Sequence, residues 1–211
     1  MLPLITGIPV TSADVSVAPL FAPEASAPAP LNVKLSIRRE RLNVLDGSAA
    51  TVTGALRPAL SRRVVYLQRL ARHGWRSIAQ TLTGARGRFT LRYTPHRLLS
   101  EPVRVLLAGD SSNTGVRRYV GHLTSYRITL ASWYGGGGTL ACGGQLTSAT
   151  MGVANKTLPC GTLVTLRYDG RSVQVPVVDR GPYVEGREFD LTEATKRALG
   201  FEGVGEVWST R

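Results

Sequence analysis

The middle of the chain alternates apolar and polar residues with a period of two, and this pattern limits the folds open to it. The apolar positions fall in three runs: Val33, Leu35 and Ile37; Phe89, Leu91 and Tyr93; and Val103, Val105 and Leu107. Such alternation is typical of half-buried antiparallel strands. Turn signals such as Asp46-Gly47 and Gly109-Asp110 separate the runs, and no helical period persists between them. The sequence therefore predicts a β-sandwich over residues 31–126.

Basic residues are concentrated in the same part of the chain. The net charge is +12; residues 31–130 contain 18 basic and 4 acidic residues, whereas residues 131–211 contain eight of each. Arginine accounts for 23 of the 26 basic residues, a bias that indicates genome composition more than a dedicated phosphate-binding patch. Two interpretations stay open: attraction to an anionic polymer, or a solubilising face, which is the commoner use of a charge run. We expect no nucleic-acid partner, because net charge is its only signal.

The first 30 residues differ from the rest in composition. They hold six of the twelve prolines and end in Ala-Pro-Ala-Pro, so we expect residues 1–30 to form an extended leader or linker. The stretch 1–10 is apolar but is interrupted by Pro3 and Pro9 and has no basic residue, which makes it a poor match to a signal peptide. No apolar run approaches the roughly 18 residues of a membrane-spanning helix, and we expect no transmembrane segment.

From Ala131 onward the residue types present exclude several kinds of catalytic site. This segment holds 14 of the 23 glycines and both cysteines but no histidine. Ser-His-Asp and Cys-His catalysis both need an imidazole, and zinc sites usually use one, so carboxylates are left to transfer protons. His73, His96 and His122 lie upstream without metal-ligand spacing. We expect neither a metal nor a cofactor.

The two cysteines, Cys142 and Cys160, lie 18 residues apart, each beside a glycine. A disulfide between them would stabilise a glycine-rich domain of this size by ~3 kcal/mol. It would also imply an oxidising compartment. Two separate buried thiols are the alternative.

Local patterns also predict the elements of this segment. They are a strand at 163–166, a two-residue turn at Asp169-Gly170, a strand at 173–178, a helix at 193–199 capped by Thr192 and ended by Gly200, and a last strand near 204–208. Gly181 and Pro182 stop the second of these strands. Asp179 is therefore predicted at a strand end that faces a loop, a position suited to a functional site.

Six sequence blocks follow one another in the C-terminal segment: Ala131-Ser132-Trp133-Tyr134-Gly135, Ala141-Cys142-Gly143-Gly144, Ala154-Asn155-Lys156-Thr157-Leu158-Pro159-Cys160-Gly161-Thr162, Asp179-Arg180-Gly181-Pro182-Tyr183, Gly186-Arg187 and Phe189-Asp190-Leu191-Thr192. In order and spacing they resemble the rare lipoprotein A family of septal-ring lytic transglycosylases. The resemblance implies a six-stranded double-psi β-barrel with a short helix over residues 127–211, the fold also found in expansins and barwin. It further implies an exported cell-wall protein that cleaves peptidoglycan glycan strands between N-acetylmuramic acid and N-acetylglucosamine and leaves a 1,6-anhydro end.

The N-terminal segment carries a second resemblance. The run from Gly74-Trp75-Arg76 to Gly87-Arg88-Phe89-Thr90 is similar to the immunoglobulin-like accessory domains of bacterial surface proteins. Such domains position or bind rather than catalyse. The whole chain is therefore expected to be mainly β, with an immunoglobulin-like β-sandwich followed by the double-psi β-barrel.

Two carboxylates compete for the role of general acid. Asp179 matches the aspartate of the family's Asp-Arg-Gly-Pro motif, and Asp190 matches the general acid of related endoglucanases. A carboxylic acid kept neutral near pH 7 can protonate a glycosidic oxygen, and no activated water is needed if the sugar's own 6-hydroxyl closes the ring. We favour Asp179. The alternatives are structural: Asp179 as a turn former, and Asp190 as support for the helix start.

One position departs from the family pattern. Family members commonly carry histidine where this chain has Asn155, and asparagine can hydrogen-bond a sugar but cannot shuttle protons. The departure keeps open a second function, a non-catalytic expansin-like or barwin-like module that binds peptidoglycan or another polysaccharide. The expected substrate contacts are Asn155, Lys156, Thr147, Trp133, Tyr134, Arg180 and Tyr183. Arg180 has a salt bridge as its alternative role, and the aromatic residues of the first block have core packing as theirs.

Overall fold

Thirteen β-strands and one short α-helix form the part of the chain that the computed structural model describes, residues 28–211. The prediction of a mainly β chain is confirmed. The predicted leader or linker at 1–30 falls almost entirely on residues 1–27, which lie outside the described residues. Within residues 28–211, no helix has the length and apolar character needed to cross a membrane.

The first eight strands build two sheets around one apolar core. They are β1 (Lys34–Arg41), β2 (Asn43–Leu45), β3 (Ala50–Arg57), β4 (Val64–Ala71), β5 (Gly74–Leu82), β6 (Arg88–Tyr93), β7 (Leu99–Leu107) and β8 (Val116–Tyr134). One sheet has the order β1-β3-β6; the other contains β5, β4, β7 and β8 in that order, with β2 pairing in parallel with β8. Seven of the nine predicted inward positions are buried in this core, and Ile37 and Tyr93 are partly buried against it; the seven are Val33, Leu35, Phe89, Leu91, Val103, Val105 and Leu107.

Strand β8 is long and belongs to both halves of the chain. Over its 19 residues it pairs first with β7 and β2 and later with the last strands of the chain. The predicted boundary between residues 126 and 127 therefore falls inside a continuous strand. Tyr126 is buried at this point, and its ring centroid lies 5.8 Å from that of Trp208. The two halves are joined by regular secondary structure at this position.

The remaining elements close a barrel with the end of β8. They are β9 (Val153–Ala154), β10 (Leu163–Tyr168), β11 (Arg171–Asp179), β12 (Phe189–Thr192), α1 (Glu193–Leu199) and β13 (Gly205–Ser209). The strands follow the order β12-β9-β11-β10-β13-β8, and β12 also pairs with β8, which closes the ring of six. Side chains from all six strands, joined by Leu199 and Phe201, fill its core.

The predicted hairpin and helix are both present in the barrel. Tyr168 pairs with Arg171, and the two residues between them, Asp169 and Gly170, have φ angles of 42° and 79°. Positive φ at both positions is the geometry that an Asp-Gly turn favours. Helix α1 begins where the Thr192 hydroxyl accepts a hydrogen bond from the Thr195 N–H, and it ends at Gly200 in the left-handed region. The local turn and cap rules are confirmed at these sites.

An ion pair joins β8 to the residue that precedes β12. Arg127 donates two hydrogen bonds to the Glu188 carboxylate, and the Thr129 hydroxyl donates a third at 2.8 Å. Burial alone would raise the pKa of Glu188, but the hydrogen bonds from Arg127 and Thr129 and the charge of Arg127 together lower it. The pair therefore stabilises the fold above the ordinary glutamate pKa, and this stability is lost as the pH falls through the lowered value.

Replacing Glu188 by glutamine is expected to lower the free energy of unfolding at pH 7 by ~1 kcal/mol at most, because both partners are partly exposed and water screens the pair. The difference in the free energy of unfolding between the unmodified protein and the variant should shrink below a pH of about 4.3. It should vanish once the Glu188 carboxyl of the unmodified protein is protonated. Urea unfolding at pH 7 and pH 3 measures both values. Glu206→Gln, at an exposed position on β13, is the control. A deficit of equal size at both pH values would contradict the assignment.

Candidate active site

The shortest strand of the barrel, β9, lies between the two candidate carboxylates. It pairs in parallel with β11 on one side and antiparallel with β12 on the other, and both Asp179 and Asp190 lie opposite Ala154. Neighbouring strands are about 4.8 Å apart, so the two aspartate Cα atoms are separated by about 10 Å. Residues that face each other across a ladder point to the same side of a sheet. Both aspartates therefore lie on one face of the barrel.

An extra residue in β11 gives Asp179 this direction. Val177 pairs with Val153 and Asp179 pairs with Ala154, so Val178 is left over as a bulge. Val177 packs in the barrel core, and strict alternation would turn Asp179 inward as well. The bulge shifts the alternation by one residue. Asp179 consequently points outward, on the same face as Asp190.

Gly152 makes room for this bulge. A Cβ atom at position 152 would overlap the side chain of Val178. The peptide groups of Gly152 are also tied to the start of α1: its N–H donates to the hydroxyls of Thr192 and Thr195 at 3.2 Å and 2.9 Å, and both hydroxyls bond its carbonyl oxygen. Only glycine fits at this crossing of β9, β11 and the helix.

Backbone groups orient the Asp179 carboxylate. Its Oδ1 atom accepts hydrogen bonds from the N–H of Ala141 at 2.9 Å and from the N–H of Arg180 at 2.8 Å. Both bonds use the same oxygen, so Oδ2 is the atom left to face a ligand. The residue is half-buried. This carboxyl group is fixed in direction yet open on one side.

Side chains hold Asp190. Ser132, its neighbour across the β8–β12 ladder, donates a hydrogen bond to Oδ1 of Asp190. Arg187 in turn donates to the Ser132 hydroxyl oxygen at 2.8 Å. Ser132 is buried, whereas Asp190 is half-buried. Neither Ser132 nor Arg187 is a predicted site residue, although both lie in the six blocks, because their contact depends on the parallel pairing of β12 with β8.

Tyr134 lies under the influence of both carboxylates. Burial first, then the charge of Asp179 and lastly the charge of Asp190 raise the pKa of Tyr134 well above its usual range. The hydroxyl is buried, and no residue in 28–211 gives it a hydrogen bond of standard geometry. Tyr134 therefore stays a neutral phenol with a proton to donate, beside two carboxylates that can accept it.

The predicted disulfide is confirmed. Cys142 and Cys160 are bonded, with Cα atoms 5.6 Å apart. The Cys142 N–H also donates to the carbonyl oxygen of Val178 at 3.2 Å. The disulfide thus fastens the loop that supplies the Ala141 N–H to Asp179, and it joins that loop to the segment that follows β9.

The Asn155 side chain is turned into the protein. It is 3% exposed, its Oδ1 accepts from the N–H groups of Thr157 and Leu158, and its Nδ2 donates to the carbonyl oxygen of Glu188 at 3.1 Å. These contacts make Asn155 the start of the loop after β9. Its role as a sugar contact stays a prediction, which the buried amide does not favour.

Arg180 supports the same loop from the other side. Its Nη1 donates to the carbonyl oxygens of Asn155 at 3.1 Å and Leu158 at 3.0 Å, and its Nη2 lies 3.1 Å from Sγ of Cys160. Arg180 forms no ion pair within residues 28–211, where its contacts are with backbone oxygens and with Cys160 instead of a carboxylate. Its guanidinium group fixes this loop against the barrel through these hydrogen bonds.

The other predicted contacts differ in exposure. Lys156 and Thr147 are exposed on loops, and Tyr183 is 81% exposed. Trp133 is 39% exposed, with the ammonium of Lys196 4.0 Å from its ring centroid. Their roles as substrate contacts stay predictions. Among residues 28–211, no group of three or more His, Cys, Asp or Glu side chains is placed to hold a metal ion.

Comparison with known proteins connects this geometry to a family. A family model described as lytic transglycolase matches residues 128–208, from the second half of β8 to the end of β13. Over these residues the chain is similar to the RlpA-like double-psi β-barrel family. The match contains both aspartates, Tyr134 and the disulfide, whereas residues 28–127 lie outside it.

Curated relatives of the RlpA-like barrel share its sequence at moderate identity. The probable endolytic peptidoglycan transglycosylase RlpA of Aquifex aeolicus is 41% identical over 103 residues, 46% of this chain and 42% of the relative. The protein of the same name from Synechocystis sp. is 41% identical over 85 residues, 37% of this chain and 26% of the relative. The endolytic peptidoglycan transglycosylase RlpA of Rickettsia prowazekii is 36% identical over 83 residues, which are 36% of this chain and 26% of the relative. The chain thus spans less than half the length of these relatives.

Proposed function

We propose that this protein is a peptidoglycan lytic transglycosylase, which cleaves the bond between N-acetylmuramic acid and N-acetylglucosamine and leaves a 1,6-anhydro product. The observation that carries the proposal is the pair of aspartates on one outer face of the RlpA-like barrel, on either side of β9. The relatives from Aquifex aeolicus and Rickettsia prowazekii are named as a probable endolytic peptidoglycan transglycosylase and an endolytic peptidoglycan transglycosylase, and these names support the same reaction.

Asp179 is the group proposed to move the proton. In its acid form, the open Oδ2 protonates the glycosidic oxygen while the bond from that oxygen to C1 of N-acetylmuramic acid breaks. The 6-hydroxyl of the same sugar then bonds to C1, and its proton passes to the Asp179 carboxylate. The acid form is restored, and no water is consumed. One correctly placed carboxyl group is sufficient for both proton transfers.

Tyr134 and Asp190 are proposed to support this step. A neutral phenol beside Asp179 can donate a hydrogen bond to it and keep its reacting oxygen in place. Asp190, fixed by Ser132, would supply negative charge toward the positive charge that develops at C1. The proposed roles leave the exposed side chains of Lys156, Trp133 and Tyr183 to contact the rest of the glycan.

A non-catalytic polysaccharide-binding module is the second candidate function. Asn155 favours it, because the position where family members commonly carry histidine here holds a buried amide that cannot carry a proton. The three histidines of the chain, His73, His96 and His122, all lie outside the segment that matches the family. The two candidates share a glycan ligand and differ in whether a bond is cut.

One assay separates the two candidates. The purified protein is incubated with peptidoglycan stripped of stem peptides, and the soluble fraction is analysed by mass spectrometry. We expect fragments that end in 1,6-anhydro-N-acetylmuramic acid, and a heated sample is the control. Sedimentation of the protein with intact peptidoglycan in the absence of any such fragment would support the binding module and contradict the enzyme.

We further propose that the protein is exported and acts in the cell wall, with peptidoglycan glycan strands as its partner. The disulfide supports export, because such bonds persist in oxidising compartments. The two N-terminal sheets around one core support an immunoglobulin-like β-sandwich for residues 31–126, followed by the barrel at 127–211. The proposed task of the sandwich is to place the barrel on its substrate.

A further inference from the structure

Two β-bulges line one furrow on the surface of the N-terminal half. Arg38 is the extra residue in β1, and Val120 is the extra residue in β8. Both bulges line a cavity of about 480 Å³ that runs between the two strands. Bulges redirect side chains and often occur beside functional sites. Here they open a gap between strands of different sheets.

A second cavity continues the first. It measures about 300 Å³, shares Glu40 and Val120 with the first cavity, and extends to Arg167 on strand β10 of the barrel. The two cavities together form one furrow, here named the arginine groove. Five arginines line it: Arg38, Arg39, Arg41, Arg118 and Arg167.

The positive charge of the arginine groove is not compensated within the described part of the chain. Glu40 is its single carboxylate, and none of the five arginines forms an ion pair in residues 28–211. Other arginines of the same half are paired, as Arg63 is with Asp110 and Arg69 with Glu101. Like charges held together repel one another and weaken the native state. Their presence along one open furrow favours a ligand of opposite charge.

An exposed aromatic side chain in the groove indicates a second property of the ligand. Tyr119 lines the groove and is 56% exposed, and its hydroxyl shares a hydrogen bond with Nδ1 of His122 at 2.9 Å. An exposed ring held in place in this way offers a flat face to the C–H surface of a sugar. The guanidinium groups beside it are suited to paired hydrogen bonds with carboxylates.

We propose that the arginine groove binds an anionic polysaccharide, with its carboxylates on the arginines and one sugar ring against Tyr119. The location of that polymer, the cell wall, rests on the proposed function. Tyr119 and Ser132 are 13 residues apart on β8, at most about 40 Å along an extended strand. Neither Asp179 nor Asp190 lines the groove, so the groove holds a polymer segment at a place separate from any bond cut at Asp179, and it acts as an anchor.

Binding of fluorescein-labelled oligogalacturonate to the 211-residue chain, followed by fluorescence polarisation, tests the proposal. The variant Arg38→Gln/Arg118→Gln should bind at least about tenfold more weakly, because two charge-assisted contacts are lost. Arg76→Gln/Arg92→Gln removes the same charge from exposed positions outside the groove and should change the affinity by less than about twofold. Circular dichroism confirms that both variants are folded.

Three results would overturn the proposal. They are equal losses in the two double variants, no loss in either, and tighter binding of a fluorescein-labelled thymidine oligonucleotide of equal charge, which would identify a nucleic-acid site instead. Asp179→Asn should bind the oligogalacturonate as the unmodified protein does, and Arg38→Gln/Arg118→Gln should keep its activity on soluble glycan chains. Failure of the groove and failure of the enzyme proposal are therefore distinguishable.

Discussion

Replacing Asp179 by asparagine is expected to lower the rate of 1,6-anhydro product formation by about 10²- to 10⁴-fold, the usual contribution of a general acid–base group. Asparagine keeps a carbonyl oxygen that can accept from the N–H groups of Ala141 and Arg180, so the fold around β11 should persist. It removes the proton that the proposed mechanism transfers. Binding to peptidoglycan should change little, because only the chemical step is affected. Mass spectrometry of products over time measures the loss.

Asp169→Asn is the matched control for this substitution. Asp169 is exposed in the turn between β10 and β11 with a φ angle of 42°, a conformation that asparagine adopts well. The control makes the same chemical change in the same domain and should retain full activity. Asp190→Asn distinguishes the two carboxylates. Full activity in Asp179→Asn together with loss in Asp190→Asn would reverse the assigned roles.

Removing the disulfide is expected to lower the free energy of unfolding by about 3 kcal/mol, because a closed loop of this length restricts the unfolded chain. The variant Cys142→Ser/Cys160→Ser makes the change without leaving a free thiol. Activity should also be reduced at temperatures where the variant is still folded. The reason is that the loop that bonds Asp179 through Ala141 loses its attachment to the segment after β9. Urea unfolding and the product assay measure the two effects separately.

A reducing agent provides the control for this variant. Dithiothreitol should destabilise the unmodified protein by a similar amount and should leave the double-serine variant unchanged. Equal stability of the two proteins in oxidising buffer would contradict the expected contribution of the disulfide. Lower stability with unaltered activity of the folded fraction would contradict its role in holding Asp179.

The features that sequence predicts well here depend on near neighbours in the chain. The Asp169-Gly170 turn, the Thr192 cap and the Gly200 stop follow from backbone preferences of single residues, and period-two alternation identifies the buried face of β1, β6 and β7. The outward direction of the Asp179 side chain does not follow from near neighbours in the chain. Its strand-end location can be read from the sequence, but its direction depends on the bulge at Val178, which exists because β9 pairs with β11.

Contacts that join distant strands account for what sequence did not predict. Ser132 reaches Asp190 because β12 lies parallel to β8, 58 residues away in the chain, and no local pattern encodes that pairing. Asn155 illustrates the converse. Its type suits a sugar contact, yet the carbonyl of Glu188 and the N–H groups of its own loop take its hydrogen bonds. The identity of a polar residue indicates what it can bind, and the fold decides which partner it meets.

Strand β8 couples the stability of the two halves of the protein. Its first residues complete the sheet beside β7, and its last residues complete the barrel beside β12 and β13. If either core melts, the shared strand loses one set of partners and becomes a weaker template for the other set. Melting one half therefore lowers the stability of the other, and the chain from β1 to β13 approaches a single cooperative unit.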